Sequence, residues 1–137
     1  MGNVIQHATD YRIRYSDTDK MGVVYHGNYL RFFEIARTEL LRSMGLPYAE
    51  LEQSGYMLPV LESYAAYLLP AKYDDMLQLR ASIDAEINAK MTIEYTISRD
   101  GDTLATGWTR HVFVTAHNFR PVRPPKHYVD LVKGTQS

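Results

Sequence analysis

The stretch N-Y-L-R-F-F-E-I-A-R-T-E-L-L-R-S-M, residues 28–44, decides the fold. Tyr29, Phe32, Phe33, Ala36, Leu40, Leu41 and Met44 recur at three- and four-residue spacing and share one stripe, while Arg31, Glu34, Glu39 and Arg42 fall outside it. Gly45 and then Pro47 follow in the order that ends helices, glycine just past the last turn and proline shortly after. The spacing predicts a helix over Asn28–Met44, apolar on one side, which needs a cover.

The cover is legible on both sides of that helix. Upstream, Tyr11, Ile13 and Tyr15 alternate with Arg12 and Arg14, a period of two that predicts a strand with one buried face. Downstream, a short helical piece over Pro47–Gln53 leads to a turn at Gly55. Val60–Leu69 then reads as a strand, broken by Pro70–Asp75. Met76–Asn88 alternates almost without interruption, and Met91, Ile93, Tyr95 and Ile97 repeat the pattern. Asp100-Gly101 supplies a hairpin turn, and Thr103–Thr115 returns as the last long strand. Pro121, Pro124 and Pro125 close the sheet before a short C-terminal helix.

Strand, long helix, then four strands predicts an α+β domain spanning 1–137, with one helix wrapped by a curved antiparallel sheet. The long strands offer more surface than one helix covers, so assembly through sheet edges or helix faces is expected.

Composition excludes several classes of function. Fifteen basic against sixteen acidic residues leave no electrostatic footprint for nucleic acid. The absence of cysteine removes disulfides, thiolate metal sites and cysteine nucleophiles together. No segment reads as a secretory signal or an integral membrane span, so a cytoplasmic protein is expected. Eleven tyrosines against four phenylalanines point to half-wet surfaces, such as a ligand cleft or a subunit interface.

The chemistry-bearing residues gather just before the helix, in Y-S-D-T-D-K-M-G-V-V-Y-H-G-N, residues 15–28. A D-x-D in a loop most often forms turn bonds to its own backbone. A calcium loop starting at Asp17 fails, because Met21 and Asn28 stand where ligands are needed. A phosphatase-type aspartate loop would need a parallel sheet with several crossover helices. Asp19 gains a second reading from Gly22 and the nearby helix start, where unpaired N–H groups and the positive dipole end favour a developing oxyanion. The His26 ring fits a helix N-terminus without further role, but its backbone N–H opens toward that same place. Gly27 lets a ligand approach, and Asn28 is expected to cap the helix. Glu62 stands in an apolar strand and reads equally as solvated or as pocket-facing. His7, His111, His117 and His127 lack ligand spacing, so no metal is expected. Arg120, Arg123 and Lys126 form a small basic group among prolines.

The segment Arg14–Arg42, R-Y-S-D-T-D-K-M-G-V-V-Y-H-G-N-Y-L-R-F-F-E-I-A-R-T-E-L-L-R, closely resembles the opening of hotdog-fold acyl-CoA thioesterases. The branch is the 4-hydroxybenzoyl-CoA thioesterase-like one, which includes small thioesterases encoded beside Tol–Pal genes. L-P-A-K-Y-D-D-M-L, Leu69–Leu77, is similar to the family's second recurrent segment. The resemblance implies a hotdog fold, an acyl-CoA substrate, no cofactor, and assembly as a homodimer or homotetramer with the pocket between subunits. It places the catalytic carboxylate on Asp19 and the oxyanion-binding backbone N–H on His26. Tyr25, Gly27, Asn28 and Glu62 are candidate substrate contacts, and Lys90 and the Arg120–Lys126 region are candidates for the coenzyme phosphates. Because a thiol leaves with a pKa of about 8.5, expulsion needs little acid assistance, so a carboxylate plus an oxyanion site can suffice. The carboxylate serves equally as base or nucleophile. The other reading is a non-catalytic hotdog module that binds acyl-CoA or an acyl carrier; a hotdog dehydratase is disfavoured, since the D-T-D loop offers no histidine base with a distant acid.

Overall fold

The computed structural model describes residues 4–135; the expected domain limits, 1 and 137, lie outside that range. The chain runs β1 (Val4–Arg12), α1 (Asn28–Met44), α2 (Tyr48–Gln53), β2 (Tyr56–Met57), β3 (Val60–Tyr67), β4 (Met76–Asp84), β5 (Lys90–Arg99), β6 (Asp102–Val112), β7 (Val114–Thr115) and α3 (Lys126–Thr135). Five strands form one antiparallel sheet in the order β1-β4-β5-β6-β3, and β2 pairs with β7 in a separate two-stranded piece. Helix α1 packs against β1, β3, β4 and β5. This is the expected hotdog arrangement.

The apolar stripe explains the packing. Tyr29, Phe32, Phe33, Ala36, Leu40, Leu41 and Met44 are all buried. They meet Leu77, Leu79, Ala81 and Ile83 of β4 and Met91, Ile93, Tyr95 and Ile97 of β5, every second residue as the alternation required. The closest approach is at Phe33, whose ring stacks on Tyr95 at 4.4 Å with an interplanar angle of 7°. It also lies over Gly107 of β6, where an added Cβ would stand 2.5 Å from the Phe33 ring and 2.3 Å from the Tyr64 carbonyl oxygen. Only a residue without a side chain fits there.

Four expectations about element limits are corrected. The first strand begins at Val4 and ends at Arg12 rather than running through Tyr15, because Tyr15–Asp17 coils into a single 3₁₀ turn closed by Asp17. The fourth ends at Asp84, whose Oδ1 accepts the Glu86 N–H at 2.9 Å and turns the chain. The Val60 strand stops at Tyr67, where the Leu68 and Leu69 N–H groups both donate to the Leu104 carbonyl. The last strand breaks at Phe113, which is buried against Tyr128 of α3 at 5.1 Å, so Val114–Thr115 crosses over to pair with Tyr56–Met57.

One polar line threads the core. Arg37 is buried on α1 and donates to the hydroxyls of Tyr48 and Tyr95, both at 3.0 Å. The Tyr95 hydroxyl meets Thr109 Oγ1 at 2.5 Å, Thr109 Oγ1 meets His111 Nε2 at 2.8 Å, and His111 Nδ1 lies 3.3 Å from the Leu58 carbonyl. Burial and the nearby Arg37 charge push the His111 pKa down from 6.5 to about 4, so the ring stays neutral in the folded protein.

Two outcomes follow from this packing. Gly107→Ala should lower stability by about 1–3 kcal/mol or more in urea unfolding, because the new methyl meets strand backbone and a stacked ring rather than a side chain that can swing away. Below pH 6.5 the unfolded chain binds a proton at His111 that the folded chain refuses, so stability falls as pH drops toward 4. Between pH 7 and pH 5 the loss attributable to His111 should be about 2 kcal/mol, and a His111→Gln variant should lose that much less over the same interval.

Candidate active site

The D-T-D segment is a tight loop pinned to the start of α1. Thr18 bridges Val24, the Asp19 N–H donates to the Val23 carbonyl at 2.8 Å, and the Tyr25 N–H donates to the Asp17 carbonyl at 3.2 Å. Gly22 closes the turn at φ 80°, a left-handed conformation. A second bridge, Val23 to Lys72, and the Val24 N–H to the Ala71 carbonyl at 2.8 Å fasten the loop to the segment after β3. The two family-like segments of the sequence are therefore neighbours in space.

Asp19 is solvent-facing. Its Oδ1 accepts the Met21 N–H at 2.8 Å and the Val23 N–H at 3.4 Å, while among the described residues no donor reaches Oδ2. One oxygen holds the loop and the other is available. Past Val24 and Tyr25 come His26 and Gly27, both exposed. The Asn28 and Tyr29 N–H groups are taken by the Tyr25 and His26 carbonyls at 2.9 and 3.1 Å. Among the described residues, the His26 and Gly27 N–H groups donate to nothing, which leaves the helix entrance with two free donors and the dipole's positive end.

Two expectations here change. Gly27, not Asn28, occupies the capping position, and no side chain caps the helix. Asn28 lies one residue inside, where its Nδ2 donates to the Asp17 carbonyl at 2.8 Å. Asp17 is also more than a turn residue. It is 2% exposed, and its carboxylate takes bonds from the Tyr11 hydroxyl, the Arg14 N–H and the Arg31 guanidinium.

An open depression of about 270 Å³ adjoins the helix entrance, lined by Val24, His26, Tyr29, Tyr67, Leu68 and Leu69. The His26 ring lies 4.5 Å from the Tyr25 ring and 5.9 Å from the Tyr67 ring, and Tyr29 meets Tyr67 at 5.2 Å. Tyr25 folds over Gly27, where a Cβ would come within 2.6 Å of its ring. Sequence reasoning missed Tyr67, because it carried only a strand pattern and nothing that aimed it at His26.

Glu62 and Lys90 are not brought to this place within one chain. Glu62 pairs with Arg110 at 2.8 Å, five residues along β3 from Tyr67, or about 16 Å. Lys90 lies opposite Val112, whereas Tyr67, Ala105 and Ile97 mark the site's end of the sheet, about 23 Å away along β5. Lys90 instead borders a cavity of about 200 Å³ with Asp84, Glu86, Pro124 and Tyr128. Arg120, Arg123 and Lys126 lie in the segment between β7 and the start of α3, and Pro124 of that segment shares this cavity.

A single long helix wrapped by an antiparallel sheet, with a carboxylate loop at the helix entrance, defines a hotdog protein. The chain belongs to the Thioesterase-like superfamily, whose profile matches residues 13–131. It is similar to an Aquifex aeolicus protein provisionally named an esterase, with 32% identity over 122 residues, 89% of this chain and 94% of that one. It is also similar to the acyl-CoA thioesterase YbgC of Haemophilus influenzae, 34% identical over 116 residues that cover 84% and 85% of the two chains. Among solved structures, the DHNA-CoA thioesterase of Staphylococcus aureus superposes with a TM-score of 0.87 at 27% identity, covering 96% of this chain and 91% of that one.

Proposed function

We propose that the protein hydrolyses acyl-CoA thioesters in the cytoplasm, with Asp19 as base or nucleophile and the His26 and Gly27 N–H groups as the oxyanion site. The observation that carries this reading is the half-free carboxylate: Asp19 Oδ1 is fixed by two backbone donors and Oδ2 is open, in the loop that leads into a helix entrance with two unpaired N–H groups. A thioester carbonyl placed between them would meet an attacking group on one side and donors on the other. The acyl chain fits the aromatic and aliphatic depression at Tyr29, Tyr67 and Leu68. Names of relatives that act on acyl-CoA agree, as does the length of the Arg14–Arg42 motif, which favours the 4-hydroxybenzoyl-CoA thioesterase-like branch of the type encoded beside Tol–Pal genes. A single catalytic domain over 1–137 accords with this size.

The site of one chain is half a pocket. β3 is an edge strand with only β6 beside it, and Val60, Leu61, Tyr64, Tyr67, Leu68 and Leu69 are exposed there. An open apolar edge is the surface another strand covers. Antiparallel pairing of β3 with a second copy's β3 brings the Val60 end of one subunit beside the Tyr67 end of the other. Glu62 and Lys90 alternate with the helix-facing residues and so lie on the other face of the sheet, which leaves the Arg120–Lys126 segment of the partner subunit as the candidate for the coenzyme phosphates. The assembly is a homodimer, or a homotetramer built from it.

The second reading, a module that binds acyl-CoA or an acyl carrier without turnover, draws on Asp19 Oδ1 already serving its own loop. A thiol-release assay over short, long and aromatic acyl-CoAs separates the two readings, since a binding module releases no thiol from any of them. Asp19→Asn should reduce turnover by about two to four orders of magnitude with little change in melting temperature or substrate binding. Wild-type rates from that variant would eliminate Asp19. Sedimentation should show a dimer or tetramer at assay concentration; a fully active monomer would overturn the shared pocket.

A further inference from the structure

Asp17 is a buried charge that the reaction proposed above does not use. Its Oδ2 accepts the Tyr11 hydroxyl and the Arg14 N–H, each at 2.8 Å, and its Oδ1 pairs with Arg31. Its main-chain carbonyl accepts Asn28 Nδ2 at 2.8 Å and the Tyr25 N–H at 3.2 Å. Those donors come from strand β1, the residue that precedes the 3₁₀ turn, the loop's return limb and the first turn of α1. The loop that carries Asp19 and the helix entrance that carries the free N–H groups are thus both tied to this one residue, two positions before Asp19.

Arg31 is held in its direction too. Its guanidinium lies 5.2 Å from the centre of the Phe32 ring and 5.9 Å from that of Tyr11, so it reaches Asp17 from a fixed platform. Planar stacking and a charged bond together fix angle as well as distance. Without Arg31 the loop keeps its own turn bonds but loses its charged link to the helix body.

We propose that Asp17, clamped by Arg31 and Tyr11, is a positioning residue that sets the separation between the Asp19 carboxylate and the N–H groups of His26 and Gly27. The inference rests on the reading of Asp19 as the reactive carboxylate. Attack on a thioester tolerates little error, and a displacement of about 1 Å costs about 100-fold in rate. The Thr18–Val24 bridge and the Asp19–Val23 bond define the loop internally, and the Val23–Lys72 bridge with the Val24 N–H to Ala71 carbonyl bond fastens its return limb to the segment after β3. The Asp17–Arg31 pair adds the charged link that ties the outgoing limb, which carries Asp19, to the body of α1.

Arg31 is the residue to change, because it is exposed while Asp17 is buried and Asp17→Asn risks unfolding. Arg31→Met keeps an apolar stem against Phe32 and Tyr11 while removing the charged bond. In a full-length enzyme that circular dichroism shows to be folded at the assay temperature, kcat for the best acyl-CoA should fall about 10- to 100-fold, with KM within about twofold. Arg31→Lys, which restores the charge but not the planar stacking, should recover only part of the loss. In an Asp19→Asn background Arg31→Met should cause no further loss, since it acts through a carboxylate already removed. Folded Arg31→Met with wild-type kcat, or an equal further loss on top of Asp19→Asn, would overturn the positioning role while leaving an inactive Asp19→Asn, and so the catalytic reading, intact. Asp19→Asn with wild-type turnover would overturn both.

Discussion

Helix α1 can lie where it does only because residue 107 has no side chain. Phe33 occupies the space a Cβ would take, and the Tyr64 carbonyl closes that space from the neighbouring strand. Once Phe33 rests on Gly107 and stacks on Tyr95, the helix is fixed in depth and in rotation about its axis. Its rotation places Tyr29 against Tyr67 and Arg31 toward Asp17, and its start places the free N–H groups of His26 and Gly27 at one end of the sheet. Close packing transmits this geometry because interiors yield little to local displacement. The site is therefore a consequence of helix seating as much as of loop sequence.

Much of this was legible in the sequence, for a physical reason in each case. The stripe from Tyr29 to Met44 repeats for several turns, so its period is unmistakable and the helix limits agree residue for residue. The alternation in β4 and β5 is as regular, and Asp100 and Gly101 both take left-handed φ, 52° and 88°, as a tight hairpin turn requires. What escaped was set by contacts distant in sequence. Asp17 and Arg37 are charged, and charge alone predicts solvent, yet their partners lie across the fold: Arg31 is fourteen residues from Asp17, and Tyr95 is fifty-eight from Arg37. The β2–β7 pair is two residues long on each side, too short to show any period. Nothing local told which end of the sheet Glu62 and Lys90 occupy, because that follows from strand order.

The division of labour inside the D-T-D loop illustrates how similar residues acquire different roles. Asp17 is buried because the Tyr11 hydroxyl, a backbone N–H and a guanidinium together replace the water it gives up. Asp19 remains in solvent with one oxygen bound to the loop's own amides and the other open to solvent, as the proposed role requires. Thioester cleavage suits so sparse a site, since the sulfur leaves without a dedicated acid. The exposed β3 edge and the shallow aromatic depression beside it lie at the same end of the fold, where the proposed pairing with a second copy would complete the cleft.

The most direct test is a crystal structure with a stable acyl-CoA analogue in which methylene replaces the thioester sulfur and the carbonyl is retained. The account predicts the analogue carbonyl oxygen within about 3 Å of the His26 or Gly27 nitrogen, and the carbonyl carbon within about 3.5 Å of Asp19 Oδ2 or of a water that it holds. An acyl group bound with its carbonyl turned to solvent, beyond reach of both Asp19 and the helix entrance, would contradict it.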